Sequence, residues 1–203
     1  MSMLTGFTIL FFVFTGGSLV LQSLRAPQKE RGEVIHYWTL PLEIVTSAGV
    51  VAVSIHDVVT DGTGWGHLLA GAVVFRLGTS LFRAAQEELG RYWSLHIELR
   101  ADQPLITRGS YAARRHPAYL GLILEVAGFP IAFGSWHGIG LLLATFVPVV
   151  LVRVWLEEQA LERRFGEPYR VYKHATPAFG GLDVGGRRAA VHVVGDGRPH
   201  DRG

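Results

Sequence analysis

The stretch Arg108-Gly-Ser-Tyr-Ala-Ala-Arg-Arg-His-Pro-Ala-Tyr-Leu-Gly121 joins basic and aromatic residues to the start of a long apolar run. Proline fits the first turn of a helix, where its missing N–H breaks no hydrogen bond, so Pro117 predicts a helix start. Arg115 and His116 then lie at the mouth of that helix, whose free N–H groups and positive dipole end favour a carboxylate or phosphate. The plain alternative is a basic collar that anchors a membrane span at its cytoplasmic face.

Composition places the chain among integral membrane proteins. Hydrophobic residues make up 49% of its 203 residues, the mean hydropathy is +0.27, and the apolar residues occur in blocks rather than in periodic stripes. Such a length allows a bundle of about five membrane helices of about 20 residues and a small cytoplasmic lobe, with no room for a separate soluble catalytic domain. Because there is no cysteine, disulfides, thiolate metal sites and a cysteine nucleophile are excluded.

Five apolar blocks predict an all-α polytopic bundle that ends in a helical hairpin. The predicted spans are residues 4–24, 38–59, 65–82, 118–133 and 139–156. We interpret the first as a retained span rather than a signal peptide, because its basic residues follow the apolar run instead of preceding it.

The polar remainder of the chain predicts the other parts of the domain. Residues 157–173 predict a cytoplasmic helix that completes a domain over 1–179, and the Gly-, Arg- and Asp-rich residues 180–203 predict a disordered tail. A Rossmann fold is not expected, because the Gly-dense run at 62–66 lies in a short connection without a preceding strand.

The distribution of charge predicts the topology. Basic residues follow the first, third and fifth blocks and are absent from the connections after the second and fourth. The positive-inside rule therefore places the N-terminus outside and the C-terminus in the cytoplasm. Arg76 and Glu125 fall within spans, so Arg76 is expected to face the bundle, a partner carboxylate or water, either in a structural ion pair or near the substrate. Glu125 is expected to face the bundle interior, where it either pairs with Arg76 or shapes the substrate tunnel.

A second polar cluster begins where the last apolar block ends. It reads Arg153-x-x-x-Glu157-Glu158-x-x-Leu161-x-x-x-Phe165-Gly166-x-x-Tyr169-x-x-Tyr172. It follows two earlier motifs, Leu89-Gly90-x-x-Trp93-Ser94 and Gly109-x-Tyr111-x-x-x-Arg115-His116-Pro117-x-Tyr119-x-Gly121. In this order, over roughly residues 89–173, the motifs resemble the isoprenylcysteine carboxyl methyltransferase family. Phospholipid N-methyltransferases share the Glu-Glu part.

The resemblance implies an S-adenosylmethionine site built from these motifs. Its cofactor-binding residues are then Tyr111, Arg115, His116, Pro117, Tyr119, Glu157, Glu158 and Tyr169. In this assignment the Arg-His pair holds the cofactor's carboxylate end, one of the two adjacent glutamates takes its ammonium or ribose hydroxyls, and the tyrosines help to wall the adenosine. For the two glutamates the alternative is a solvated helix face.

Arg153 matches the arginine that precedes the Glu pair in that family, which implies a catalytic role in orienting an anionic nucleophile. A structural role is the alternative: Arg153 either snorkels to the lipid headgroups or pairs with Glu157 one turn later.

The expected methyl acceptor is a lipophilic small molecule or prenylated substrate that enters from the bilayer. Carboxyl O-methylation of an isoprenylcysteine-type group is the first interpretation, and N-methylation of a phospholipid amine or S-methylation of a small thiol are the alternatives. Two rivals from other classes are an NADPH-dependent enzyme similar to sterol reductases and a non-catalytic membrane scaffold.

The other partners follow from charge and spacing. Membrane lipids are expected partners, whereas nucleic acid is not, because the arginines lie beside apolar spans, where they set topology. A metal is not expected either, because the histidines are scattered without ligand spacing.

Overall fold

A computed structural model describes residues 33–180 and the single residue Gly6. Seven helices make up most of the described part: α1 Thr39–Asp61, α2 Trp65–Leu89, α3 Ser110–Ala113, α4 Pro117–Phe133, α5 Trp136–Leu141, α6 Val147–Phe165 and α7 Glu167–Ala175. Two short strands, β1 Glu33–Ile35 and β2 Ile97–Leu99, accompany them. Apart from Gly6, the predicted span at 4–24 lies outside the described residues, as do residues 181–203 of the predicted tail.

The helical membrane class is confirmed for the described part of the chain. Three segments are long and apolar enough to cross a membrane: Thr39–Asp61, Trp65–Tyr92 and Trp136–Phe165. The fourth, α4, has 17 residues and a length of about 25 Å at 1.5 Å per residue, less than the hydrocarbon core of about 30 Å. Each of the four predicted blocks from residue 38 onward therefore corresponds to a helix.

Two helices continue beyond the ends predicted from hydropathy. α2 extends past residue 82 to Leu89, and α6 extends past residue 156 to Phe165, because a helix need not end where its sequence becomes charged. The helix predicted over 157–173 is divided into two: its first part continues α6 to Phe165, and the rest forms α7. Gly166 adopts a positive φ of +60° and its N–H donates to the Glu162 carbonyl at 2.9 Å, so α6 ends there and α7 begins at Glu167.

The membrane helix formed by α5 and α6 is continuous but locally widened. Residues Leu142–Phe146 form a π-helical segment between the two α-helices, directly before Pro148 in the first turn of α6. Proline lacks the N–H that would bond the carbonyl four residues earlier, so a wide turn is accommodated at this point.

Glycines allow α2 and α4 to pack at very short distance. Gly71 and Gly78 of α2 lie against the backbone of α4, and Gly121 and Gly128 of α4 lie against α2. A Cβ atom on Gly78 would lie 2.5 Å from the Glu125 nitrogen and 2.6 Å from the Gly121 oxygen. Small residues at such a crossing let membrane helices gain van der Waals contact, and this crossing fixes the position of α4 and the motif at its start.

Gly78→Ala is expected to lower the stability of the bundle by about 1–3 kcal/mol, because the added methyl group would overlap the α4 backbone. Gly140→Ala is the matched control: a Cβ atom there has nothing within 4 Å, so the change is expected to be neutral or to stabilise the helix by up to about 1 kcal/mol. Thermal unfolding in detergent measures both variants. Equal unfolding temperatures would contradict the close crossing.

Within the described part of the chain, Arg76 lies on the exposed side of α2 and is not paired with Glu125. The buried face of α2 carries Phe75 and Thr79, and Arg76 follows Phe75 by about 100° around the helix, on the exposed side. Glu125, its predicted candidate partner, accepts a hydrogen bond of 2.8 Å from the Thr79 hydroxyl instead.

A small antiparallel ribbon joins the start of the described chain to the polar stretch after α2. β1 pairs with β2 in the register Ile35↔Ile97 and Val34↔Glu98. The all-α prediction did not include this ribbon. It holds the loop before residue 97 beside the end of the bundle where α1 begins and α2 ends.

At the opposite end of the bundle, the Asp57 side chain contacts the turn between α4 and α5 and stabilises it. Its carboxylate accepts a hydrogen bond of 2.6 Å from the Ser135 hydroxyl and lies 3.1 Å from His137 Nδ1. Ser135 also accepts from the Gly138 N–H at 2.8 Å and so caps α5. The two ends of the bundle are therefore held by separate polar groups.

Candidate functional site

The two sequence motifs meet at the carboxylate of Glu158. Arg115 donates from Nε and Nη2 to Glu158 Oε1, at 2.9 and 2.7 Å, and His116 Nε2 lies 3.0 Å from the same oxygen. Lys173 Nζ lies 2.9 Å from the other oxygen, Oε2. Glu158 is therefore bound on both oxygens by side chains from α7 and from the start of α4.

The chain after α7 closes over this cluster. Arg115 Nη1 donates to the carbonyl of Lys173 at 2.8 Å and to that of Thr176. The backbone N–H groups of Arg115 and His116 donate to the carbonyls of residues 177 and 178, both at 2.9 Å. The start of α4 is thus fixed by backbone as well as side-chain bonds.

Arg153 is buried and has three partners. Only 4% of the residue is exposed. Its Nη1 donates to Glu43 Oε2 of α1 at 2.8 Å, its Nε to the Tyr119 hydroxyl at 3.1 Å, and its Nη2 to the Leu95 carbonyl. Arg153 therefore does not snorkel to the headgroups, and its ion pair is with Glu43 rather than with Glu157. It connects α6 to α1, to α4 and to the loop before β2.

The two adjacent glutamates occupy different environments. Glu157 lies beside the Tyr119 hydroxyl and lines a cavity, whereas Glu158 does not line it. The Glu43, Arg153, Tyr119 and Glu157 side chains consequently form a continuous polar network along one wall.

The cavity has a volume of about 770 Å³ and contains both polar and apolar regions. Six of the predicted site residues line it: Tyr111, Arg115, His116, Tyr119, Arg153 and Glu157. Its apolar part is lined by residues of α1, α2 and α4, including Ile44, Val51, Phe75 and Phe129. Pro117, Glu158 and Tyr169 are not among the lining residues. The cavity therefore extends from the polar network into the membrane part of the bundle.

Four of the lining residues outside the predicted set of site residues carry polar groups that can contact a ligand. Trp93 Nε1 and His96 Nδ1 are buried atoms without a hydrogen-bond partner among the described residues, and both side chains line the cavity, as do Glu43 and Glu125. Trp93 belongs to the first sequence motif, and an acid within an apolar span indicates function by itself. Both signals were therefore present in the sequence.

Tyrosines form the support beneath the cavity. Tyr172 donates to the Tyr111 carbonyl at 2.6 Å, and its ring lies edge-on to that of Tyr169, with 6.2 Å between centroids. Burial raises the pKa of Tyr111, Tyr169 and Tyr172 well above the ordinary value, so these phenols stay neutral near pH 7. Tyr169, which is 1% exposed, supports the site from outside the cavity.

Glu88 fixes the segment that carries Tyr111. Its two oxygens accept from the Ser110 N–H at 2.7 Å and from the Ser110 hydroxyl at 2.5 Å, at the start of α3. Gly109 has a φ of +61°, and a Cβ atom there would lie 2.0 Å from Glu88 Oε1. This segment therefore requires glycine at position 109 for both its backbone conformation and its space.

Across residues 33–180, no group of three or more His, Cys, Asp or Glu side chains is placed to hold a metal ion. The chemistry available at the cavity is that of carboxylates, guanidinium groups, aromatic rings and free N–H donors.

Fold and site together define a helical membrane protein with a mixed polar and apolar cavity at one end of its bundle. The sequence model of the isoprenylcysteine carboxyl methyltransferase family matches residues 70–163. The predicted resemblance to this family is confirmed by that match, which covers the whole motif at 109–121 and the first part of the motif that begins at Arg153.

Two curated proteins are similar to parts of the chain. The nickel-cobalt-cadmium resistance protein NccN of Alcaligenes xylosoxydans xylosoxydans is 27% identical over 131 residues, which cover 64% of this chain and 60% of that protein. The protein-S-isoprenylcysteine O-methyltransferase of Schizosaccharomyces pombe is 30% identical over 105 residues, which cover 50% of this chain and 44% of that protein. The chain thus matches about half the length of these relatives. The family match and the second relative support a membrane methyltransferase.

Proposed function

We propose that this protein is an S-adenosylmethionine-dependent methyltransferase that acts on a lipophilic acceptor at the cytoplasmic face of a membrane. One observation carries the proposal: a single cavity joins the polar network around Glu157 to the apolar interior of the bundle. S-adenosylmethionine supplies a methyl group that is activated by a sulfonium centre. The protein then has to align the acceptor and exclude water, and no covalent intermediate with the chain is needed.

The residues of the cavity fit this cofactor. Its volume of about 770 Å³ falls within the range of about 300–1,000 Å³ typical of small-molecule sites. Glu157 is an acid for an ammonium group or ribose hydroxyls, and Tyr111 and Tyr119 provide aromatic walls. Trp93 Nε1 and His96 Nδ1 lack partners in the described chain, and a buried polar nitrogen without a partner costs stability unless a ligand supplies a hydrogen bond.

Of the two adjacent glutamates, we assign the cofactor contact to Glu157, because it lines the cavity. Glu158 instead orients Arg115 and His116, and both of these side chains line the cavity. We place the carboxylate end of the cofactor beside them. Pro117 sets the start of α4 directly after this pair. Tyr169 supports the wall from beneath.

Arg153 acts in this proposal as a positioning residue. Its guanidinium holds Tyr119 against the cavity and fixes the Leu95 carbonyl, so it determines the shape of the wall between the cofactor and the apolar region. The same side chain neutralises Glu43. Its contribution to turnover is therefore expected to come from alignment.

Glu157→Gln is expected to weaken binding of S-adenosylhomocysteine at least about tenfold, because a charged acceptor for the ammonium or hydroxyl groups is lost. Glu167→Gln removes a charge from an exposed position of α7, where the side chain is 74% exposed, and serves as the matched control. Isothermal calorimetry on the purified protein measures both variants and the parent.

A parallel titration with NADPH distinguishes a methyltransferase from the alternative NADPH-dependent reductase. Binding of S-adenosylhomocysteine without binding of NADPH supports the proposal. Binding of NADPH alone would favour a reductase, and binding of neither would favour a scaffold. Equal affinity of the parent and Glu157→Gln for S-adenosylhomocysteine would remove Glu157 from the cofactor site.

A further inference from the structure

The part of the cavity between the polar network and the bundle core forms an apolar arm along α1. The residues of α1 that line this arm are Ile44, Ser47, Ala48, Val51, Ala52 and Ile55. Their spacing of three and four residues is that of one stripe on a helix. The stripe begins directly after Glu43, which is paired with Arg153. One end of the arm therefore meets the polar network.

Helix α4 forms a second wall of the arm. Its lining residues include Tyr119, Leu122, Val126 and Phe129, and Tyr119 belongs to the polar network. Glu125 also lies on this wall. Its Oε1 accepts from Thr79 Oγ1 at 2.8 Å, and Arg83 acts on it electrostatically, so the bundle itself supplies partners for this acid.

Phe75 and Phe129 close the deep end of the arm. Both side chains line the cavity, and their rings meet edge-on with 5.7 Å between centroids. Ile55, the last lining residue of α1, packs against the same buried cluster. The cluster continues behind the two rings with Val58, Leu68, Ala132 and Phe133. The arm therefore ends at an aromatic floor formed by Phe75 and Phe129.

The floor is held in place from two sides. A Cβ atom on Gly128 would lie 2.6 Å from the Cβ atom of Phe75, so Phe75 lies directly against the backbone of α4. The turn that follows α4 is bound to α1 by the Ser135 hydroxyl, which donates to Asp57 at 2.6 Å. The floor therefore cannot recede unless α2 and α4 separate.

The length of the arm follows from the rise of its two helices. Tyr119 and Phe129 on α4 are separated by about 15 Å, and Glu43 and Ile55 on α1 by about 18 Å, at 1.5 Å per residue. An extended hydrocarbon chain advances about 1.25 Å per carbon, because its carbon–carbon bonds of about 1.5 Å meet at tetrahedral angles. A chain of about 12–14 carbons therefore reaches from the polar network to the floor.

We infer that the methyl acceptor carries one extended apolar chain of about 12–14 carbons and that Phe75 and Phe129 are the specificity-determining residues that set this upper limit. This inference rests on the proposed methyltransferase function. A longer chain would overlap the floor, and packed cores resist added volume. A shorter chain would bury fewer methylene groups, each of which is worth about fourfold in affinity relative to water.

The limit concerns the chain and is independent of the reactive group. Carboxylate, amine and thiol acceptors all place their head at the polar network and their chain in the arm. The limit can therefore be measured with a head group that is none of these three.

The test measures binding of labelled n-alkanols with 8–18 carbons, an arbitrary series about the expected limit of about 12–14, to the immobilised protein in one uncharged detergent. Protein-free micelles, measured in parallel, give the free concentration of each alcohol. We expect affinity to rise by about fourfold per carbon up to that limit and then to stop rising. Affinity that continues to rise through octadecanol would overturn the inference, because the chain would then leave the arm sideways.

Val51→Phe is expected to shorten the limit by about four carbons, since Val51 lines the arm one turn before Ile55 and the added ring would occupy its deep end. Val45→Phe is the matched control, because Val45 lies on the same helix, is 66% exposed and is not among the lining residues. Its limit should equal that of the parent. An unchanged limit in Val51→Phe, or an equal shift in Val45→Phe, would contradict the assigned floor.

Phe129→Ala changes the arm in the opposite direction. Removal of the ring is expected to lengthen the limit by about four carbons and to strengthen the binding of hexadecanol at least about tenfold. Thermal unfolding shows whether this variant folds, and Val51→Phe, which removes no core side chain, decides the question if it does not. A folded Phe129→Ala variant with the limit of the parent would overturn the role of Phe129.

Titration of the same samples with S-adenosylhomocysteine tests the proposed function separately. The chain limit is measured without cofactor, so absence of S-adenosylhomocysteine binding would end the proposed function while the limit could still be read. A parent that binds S-adenosylhomocysteine but shows no chain limit would overturn this inference alone.

Discussion

Arg153→Ala is expected to lower the turnover of methyl transfer by at least about a hundredfold while cofactor affinity falls much less. The reason is geometric: Arg153 holds Tyr119 at 3.1 Å and Glu43 at 2.8 Å, and a displacement of about 1 Å in a reacting group is sufficient for a loss of that size. Arg153→Lys should rescue turnover poorly, because a lysine keeps the charge but lacks the planar donors that contact three partners at once. Steady-state kinetics and calorimetry with S-adenosylhomocysteine measure the two effects separately.

The same variant is expected to be destabilised, because Glu43 would remain as a buried carboxylate without its cation. Breaking a buried ion pair from one side costs about 3–5 kcal/mol, whereas replacing both partners is often close to neutral. The double variant Arg153→Met/Glu43→Gln should therefore regain stability in detergent unfolding but not turnover. Recovery of both would mean that Arg153 is only structural, and equal losses of affinity and turnover in Arg153→Ala would place it at the cofactor.

The positions of the membrane helices were predictable because hydropathy is a local property. The apolar blocks at 38–59, 65–82 and 118–133 each correspond to a helix that begins within a residue or two of the predicted start. The ends of α2 and α6 were less predictable from hydropathy, because both helices continue for several residues beyond their apolar part. The close crossing of α2 and α4 was also readable, because glycines recur at seven-residue intervals in both segments, at 71 and 78 and at 121 and 128.

Partners that lie far apart in the chain were not predictable from the sequence. Glu43 and Arg153 are separated by 110 positions, and their pairing depends on which sides of α1 and α6 face each other. The different roles of Glu157 and Glu158 depend on the rotation of α6, since adjacent helical residues point about 100° apart. The exposed position of Arg76 follows from the same geometry. Motif spacing identified the residues of the site but not which of them face the cavity.

Glu158→Ala is expected to destabilise the protein by about 3–5 kcal/mol, because three basic side chains would lose the carboxylate that joins them. Arg115, His116 and Lys173 all lie within 3.0 Å of a Glu158 oxygen. The backbone N–H groups of Arg115 and His116 also donate hydrogen bonds to the chain that follows α7. We therefore expect this end of the domain to unfold locally before the rest. Unfolding by denaturant in detergent and hydrogen exchange of residues 173–178 measure the global and the local effect.

Glu162→Gln is the matched control for the Glu158 prediction, because it removes an acid one turn further along α6. Glu162 lies 2.9 Å from Arg170 and 3.8 Å from Lys173, but both of its pairs are at the surface, so its loss is expected to destabilise the protein much less than the loss of Glu158. Equal stability of the Glu158 and Glu162 variants would contradict the structural role of Glu158. Lowered affinity for S-adenosylhomocysteine in Glu158→Gln at unchanged stability would return Glu158 to the cofactor site. A ligand contact can be lost without loosening the fold, whereas the contacts that Glu158 makes with Arg115, His116 and Lys173 cannot.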